Sequence, residues 1–286
     1  MVKKLLLFIL AMSVTAGLLC GCEGWNSNKP EKNIADANKY DNVHEITEFL
    51  DEEQYEEYMN DAGSLFHRLL DFRRRLAASS EFAFYAFADN CIEAISIKIP
   101  ESCIVNHGTE FEDESRYVID GENITAAEAI QISENFLSLF PLKITEGRSF
   151  EASDFDAGKA ESIPVILGKA YQGTFHTGDV FEAYYICERR SFKVIGFTDA
   201  GSEFYSRSNN GMVSYENDII MPFQKITEDS YSARAILLQQ ICGFIAPRSS
   251  RDSALQTIRE YLTDAGLEEW TEAIIVNEKS LQEKMR

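Results

Sequence analysis

The sequence predicts an α+β fold, with a helix-and-strand segment at each end of the chain and a β-rich piece between them. Three observations carry that reading. Residues 48–79 hold a long amphipathic stripe. From Leu142 to Phe223, short β-rich segments alternate with Gly, Asp and Pro. Residues 249–278 then return to a capped helix followed by a strand.

The chain opens on a basic pair, Lys3 and Lys4, followed by an uncharged run from Leu5 to Cys22. Such a segment is a secretory signal or a membrane span. Its end, Leu19-Cys20-Gly21-Cys22, resembles the bacterial lipobox, in which Leu and Gly precede a Cys that takes a diacylglycerol by thioether. Cys22 is therefore the expected lipidation site. Residues 1–22 read as a lipoprotein signal peptide or, alternatively, a retained transmembrane helix. Either way the rest of the chain is expected at the outer face of the cell membrane. Residues 23–47 are polar with little periodicity and read as a tether.

The helical segment comes next. Tyr55, Tyr58, Ala62, Leu65, Leu69, Phe72 and Leu76 recur on alternating three- and four-residue steps, which predicts one amphipathic helix over 48–79. Acidic residues fill its first half and Arg73-Arg74-Arg75 its end, as the helix dipole favours. Leu65 to Leu76 are expected to pack on the protein's own core, leaving Tyr55 and Tyr58 as candidate residues for docking a partner. Residues 82–99 read as a strand ended by Pro100, since Ile95, Ile97 and Ile99 alternate with Ser96 and Lys98. Thr125-Ala126-Ala127-Glu128 has the form of a capping box and predicts a helix to about Phe140. The segments 142–146, 163–167, 179–187, 191–197 and 218–223 read as strands. Ser249 or Ser250 caps a helix to about Ala265 with Gly266 as its stop, and 272–278 is a final strand.

Composition excludes several classes. Hydrophobic residues make up 45% of the 286, aromatics 12%, which is incompatible with a disordered chain. With 47 acidic against 27 basic residues, the net charge of −20 opposes nucleic-acid binding and anionic lipid, so membrane contact depends on the anchor. Cys91, Cys103, Cys187 and Cys242 form no CxxC; Cys91 and Cys103 either pair or remain buried free thiols. His44, His67, His107 and His176 are scattered without ligand spacing. Glu151, Asp154 and Asp156, or the run Glu110, Glu112, Asp113 and Glu114, have the composition of a cation loop, but acidic loops are common in acidic proteins. No GxSxG, P-loop, HExxH or GxGxxG occurs. No catalytic residue, metal or cofactor is expected.

Four segments in order, EGRSFEASDF (146–155), IPVILGKAYQGTFHTGDVFE (163–182), FKVIGF (192–197) and DIIMPF (218–223), resemble the extracytoplasmic domain of FtsX-like, MacB-type ABC transporter permeases, the MacB-like periplasmic core. The positions that carry the resemblance are Gly147, Arg148, Phe150, Asp154, Pro164, Gly168, Gly178, Asp179, Gly196 and Pro222. Their chemistry suits structural roles: glycines at turns and close approaches, Asp at turn hydrogen bonds, Pro at strand ends. The resemblance implies a porter-like α/β subdomain (80–140 and 226–286) with an inserted β-rich subdomain (141–225), preceded by the long helix. It implies a non-enzymatic protein that couples or binds other proteins during export. Its partners would be an ABC transporter permease or ATPase, or a second copy of itself. The family re-enters the membrane after this domain, and no second hydrophobic run occurs before Arg286. Three readings stay open: a lipoprotein built from the family's outer domain, a truncated permease subunit, and a solute-binding lipoprotein.

Overall fold

The computed structural model of the chain describes residues 39–286 apart from Ala62 and 157–160. The expected signal segment or membrane helix, with Cys22, and most of the expected tether lie outside the described residues. In chain order the strands are β1 (His44–Glu48), β2 (Phe82–Ile95), β3 (Arg116–Ile119), β4 (Glu122–Ile132), β5 (Ile144–Gly147), β6 (Ile163–Leu167), β7 (Val180–Tyr185), β8 (Glu188–Thr198), β9 (Glu203–Ser206), β10 (Gly211–Ser214), β11 (Ile219–Pro222), β12 (Gly243–Pro247) and β13 (Ile274–Ser280). The helices are α1 (Glu52–Asn60), α2 (Ser64–Ala77), α3 (Tyr231–Gln240), α4 (Arg251–Asp264) and α5 (Leu281–Lys284). The mixture of helix and strand is the α+β class read from the sequence.

Two modules share one strand. The first half of β2 closes an antiparallel sheet in the order β13-β1-β12-β2, with Ala86 opposite Gly243 and Phe82 opposite Pro247. From Phe87 onward β2 leaves that sheet and pairs with β4, Phe87 opposite Ile132 and Ile95 opposite Ile124. The ladder then runs β4-β11-β6-β8-β7 and returns to β2 through Glu93–Tyr184 and Ala94–Ala183. These six strands therefore close into a barrel, which removes their free edges. The barrel ends with β11 at Pro222 and the helical layer resumes with α3 at Tyr231, but the first division does not fall at 140/141 as expected. The boundary falls inside β2, and β4 belongs to the barrel.

Each module has its own core. Ile46, Phe82, Phe84, Ile245 and Val276 of the sheet meet Leu65, Leu69, Phe72 and Leu76 of α2, Leu237 and Leu238 of α3, and Ile258 and Leu262 of α4. Inside the barrel, alternate residues of each strand converge: Ile163, Val165 and Leu167 of β6, Phe192 and Val194 of β8, Ile219 and Met221 of β11. The intervening Ile166, Ile195 and Ile220 point outward into a third cluster, where Phe87, Phe136, Phe140 and Phe244 stack beneath the β9–β10 hairpin.

Three expectations are corrected here. The helix over 48–79 is two helices. Asp51 caps α1 in a capping box with Gln54, but Asp61 is extended and its Oδ2 accepts from the N–H groups of Gly63 and Leu65 at 3.0 and 2.8 Å. Gly63 follows at φ +103°, a conformation no helix interior holds. Both helices present apolar residues to one core, so the stripe runs through the break. The tether is also shorter than expected, because His44–Glu48 is a central strand between β12 and β13. Its polar sequence hides this: Glu45 is buried but pairs with Arg207 at 2.6 Å and with Lys284. Finally, residues 122–132 form a strand, and only Glu134–Ser138 makes a short 3₁₀ turn. Alanines favour a helix locally, but here strand partners on both sides override that weak preference.

Candidate functional site

Of the two tyrosines expected to face a partner, only Tyr55 remains accessible. Tyr58 is 0% exposed. Its ring meets Trp270 edge-on at 5.7 Å and its hydroxyl donates to the Arg234 carbonyl at 3.1 Å. Arg234 in turn donates to the carbonyls of Tyr58 and Met59 at 2.9 and 3.0 Å and forks onto Asp229 at 2.6 and 2.8 Å. It thereby caps the C-terminal end of α1, whose carbonyls have no helical partner. Tyr58 is a core residue, because the apolar stripe runs through the break and sets this position against α3 and Trp270. Tyr55 is half-buried against the same core, and burial, then the neighbouring Tyr231 phenol, push its hydroxyl's pKa up. Tyr231, at the start of α3, is 39% exposed. The sequence reading did not single it out; its position just after the cap Ser230 was the available signal.

Beside this pair lies charge. Glu52, Glu53, Glu56 and Glu57 form the outward face of α1 and line an open concavity with Asp51 and Asn60. The tip of the β7–β8 hairpin, Ile186 and Cys187, takes positive φ, and Glu188 there accepts a hydrogen bond from Ser232 of α3. The barrel therefore touches the helical layer next to the two tyrosines.

The ten motif positions lie in the barrel strands and in the turns and β5 segment that flank them. Gly147 (φ +75°) and Gly196 face one another across β5 and β8: a Cβ on Gly147 would lie 2.2 Å from the Ile195 carbonyl oxygen, and one on Gly196 2.7 Å from that of Arg148. Arg148 forks onto Asp154 at 2.6 and 2.9 Å, and the Glu151 N–H also reaches Asp154 at 2.7 Å. Burial pushes the Asp154 carboxyl up, but these bonds outweigh it and hold it below its ordinary value. Phe150 meets Phe155 edge-on at 5.7 Å. A Cβ on Gly168 would strike the carbonyls of Tyr215 and Glu216. Pro164 sits in β6 beside Lys193, and Pro222 ends β11 beside Ile132. Gly178 (φ +97°) and Asp179, which accepts from the His176 N–H at 2.8 Å, make the turn into β7.

Several carboxylates of the two acidic loops are held by cations of the chain. Asp154 is taken by Arg148, and Asp156 lies 3.8 Å from Lys225. Glu101, His107 and Glu112 bring their ligand atoms within 4.8 Å of one another on the surface, but Arg116 pairs with both carboxylates. Cys91, Cys103, Cys187 and Cys242 are free thiols.

A different acidic group has unusual electrostatics. In the strand register Cys91 lies opposite Glu128 and Asp89 opposite Ile130, while Ile219 lies beside Ala129, which puts Asp218 next to Glu128. Burial pushes Asp89 up to about 6, with Arg207 and Ser206 opposing. Burial and then Asp89 push Glu128 up to about 7. Burial, then Glu128 and Asp89, raise Asp218 well above the ordinary carboxylate range. Asp89 keeps an open side to solvent and the other two are half-buried, so these shifts reflect crowding by protein and by each other.

The family model described as MacB-like periplasmic core domain matches residues 71–261, which span the second half of α2, the barrel, α3, β12 and most of α4. Among solved structures, the periplasmic region of MacB from Actinobacillus actinomycetemcomitans is similar at 14% identity and TM-score 0.43, over 85% of this chain and 92% of that one. The extracellular domain of the noncanonic ABC-type transporter YknZ from Gram-positive bacteria is similar at 14% identity and TM-score 0.42, over 82% of this chain and 100% of that one. No curated protein matches the chain. Among the described residues, no helix is long and apolar enough to cross a membrane. The family match spans well over half of the sequence and contains all ten motif positions, and the chain belongs to the MacB-like periplasmic core domain family, the extracytoplasmic part of ABC transporter permeases of the MacB and FtsX type.

Proposed function

We propose that this chain is a non-enzymatic interaction module, held at the outer face of the cell membrane through lipid on Cys22, that binds an ABC transporter permease and couples it to events outside the cell. The observation that supports this most is the family match over 71–261, because the domains it describes are parts of transporters. The surface around Tyr55 and Tyr231 supports a docking role. It offers two adjacent phenol rings beside the acidic face of α1. Tyrosines of this kind supply large contact area at low entropic cost, and the flanking carboxylates favour a partner with a basic rim. Such an interaction weakens with salt, since the charges are exposed.

Affinity purification of the full chain from detergent-solubilised membranes tests the proposal. The parent should retain an ABC permease. A variant with Tyr231→Ala and Tyr55→Ala should retain much less of it while keeping a cooperative unfolding transition. Equal recovery by both proteins, or no permease with either, refutes the docking face or the coupling role respectively.

A further inference from the structure

Arg73 of α2 faces a concavity of ≈ 390 Å³ where β2 leaves the sheet for the barrel. The concavity is lined by Arg73, Ala77, Phe84, Ala86, Ser133, Glu134 and Asn135. Its floor is fixed: the Ser133 N–H donates to the Ala86 carbonyl at 3.0 Å, the Asn135 amide to the Phe84 carbonyl at 2.8 Å, and the Ser133 hydroxyl to Asn135 Oδ1 at 2.8 Å. Arg73 itself is half-buried. Its Nε is shut off from solvent without an acceptor, and among the described residues its guanidinium makes no hydrogen bond or ion pair. Acids outnumber bases by 47 to 27 in this chain, and Arg68, Arg75, Arg116, Arg148, Arg189 and Arg234 all hold carboxylates. The Arg73 Nε is instead a donor closed off from water beside a fixed recess, and a buried donor without a partner is costly.

We propose that this recess binds a small carboxylate with a short apolar body. The planar guanidinium fork matches the two oxygens of a carboxylate, and Phe84, Ala77 and Ala86 give the remainder an apolar wall. The volume suits a small ligand rather than a folded partner. Glu134, exposed at the rim, repels the ligand and sets its affinity low.

Saturation-transfer NMR on the full chain, with hexanoate, acetate and inorganic phosphate as probes, tests this. Hexanoate should bind saturably and more tightly than acetate. Arg73→Met, which keeps the apolar stem, should weaken it at least about tenfold. Ala77→Glu changes only an exposed position one helical turn from Arg73, supplies an internal carboxylate, and should abolish binding without disturbing the fold. Glu134→Gln should tighten it. If the parent and Ala77→Glu bind hexanoate equally, or the parent does not bind it, Arg73 merely lies across the wall in water and the proposal fails. If phosphate displaces hexanoate at equal concentration, the assigned ligand class is wrong.

Discussion

On the helical side of the sheet, Leu69, Phe72, Ile258, Leu262 and Trp270 meet the strands in an apolar cluster. Where the barrel meets that helical layer, Ile236 of α3 packs on the barrel core and a set of polar contacts surrounds it. The Tyr185 hydroxyl donates to Gln131 and lies 3.3 Å from Gln239 Oε1, which also accepts from Asn90 at 3.2 Å, and Ser232 bonds Glu188. Apolar contact is proportional to area and indifferent to direction, whereas a hydrogen-bond network is satisfied in one geometry only. The comparison teaches that burial holds each module together, while directional bonds and the continuous strand β2 set how the modules sit on one another.

The largest expected effect lies in the apolar cluster. Leu69→Ala should cost about 3 kcal/mol in denaturant unfolding, because Leu69 is fully buried among rigid neighbours. A loss below about 1 kcal/mol would mean that the helical layer can collapse around the gap. Next comes the barrel wall. Gly147→Ala forces a Cβ against a backbone oxygen at positive φ and should cost about 2 kcal/mol. At the seam, Tyr185→Phe removes one hydroxyl and leaves Gln131 short of a donor, a loss of about 1 kcal/mol. Amide exchange should rise more in α3 and β7 than in α2; uniform exchange would contradict the contrast between seam and core.

The smallest effect is on pH. Asp89, Glu128 and Asp218 titrate above their unfolded values of about 4, so between pH 4 and about 7 the folded state binds more protons than the unfolded one. Their contribution is fully present below pH 4 and is lost as pH rises, through about 6 for Asp89 and about 7 for Glu128, with Asp218 acting in the same sense. Asp154 works in the opposite sense, since its depressed carboxyl contributes above about pH 4 and loses that contribution as pH falls. Thermal unfolding should therefore show higher stability near pH 5 than near pH 8. Asp218→Asn should flatten that slope, and an unchanged slope would show that the three acids do not interact as their register implies.

Where chemistry is local, the fold could be read directly. Ser250 accepts from the Ser253 N–H and Gly266 takes φ +69°, so α4 has the cap and the stop written in its sequence. The apolar runs of β6 and β8 and the motif glycines were equally legible. Nonlocal pairing was not. Nothing within residues 122–132 reveals strand partners at 87–95 and 219–222, and barrel closure depends on two residue pairs between β2 and β7. The buried Glu45 made β1 look like a tether until Arg207 and Lys284 appeared beside it. Of the candidate surface, Tyr55 keeps an accessible side, whereas Tyr58 is core, because the stripe it shares with Leu65 and Leu69 runs through the break at Asp61. Arg73 read as a helix-dipole partner among three arginines, and only the recess at Phe84 and Asn135 distinguishes it.

The central claim is that this domain works outside the cell on a lipid anchor at Cys22. Metabolic labelling with a tagged palmitate, followed by in-gel detection of the parent and of Cys22→Ala, tests it most directly. The parent should carry the label, and the variant should carry none and accumulate as a larger precursor. Equal labelling of both, or an unlabelled parent of full precursor mass, would contradict the account.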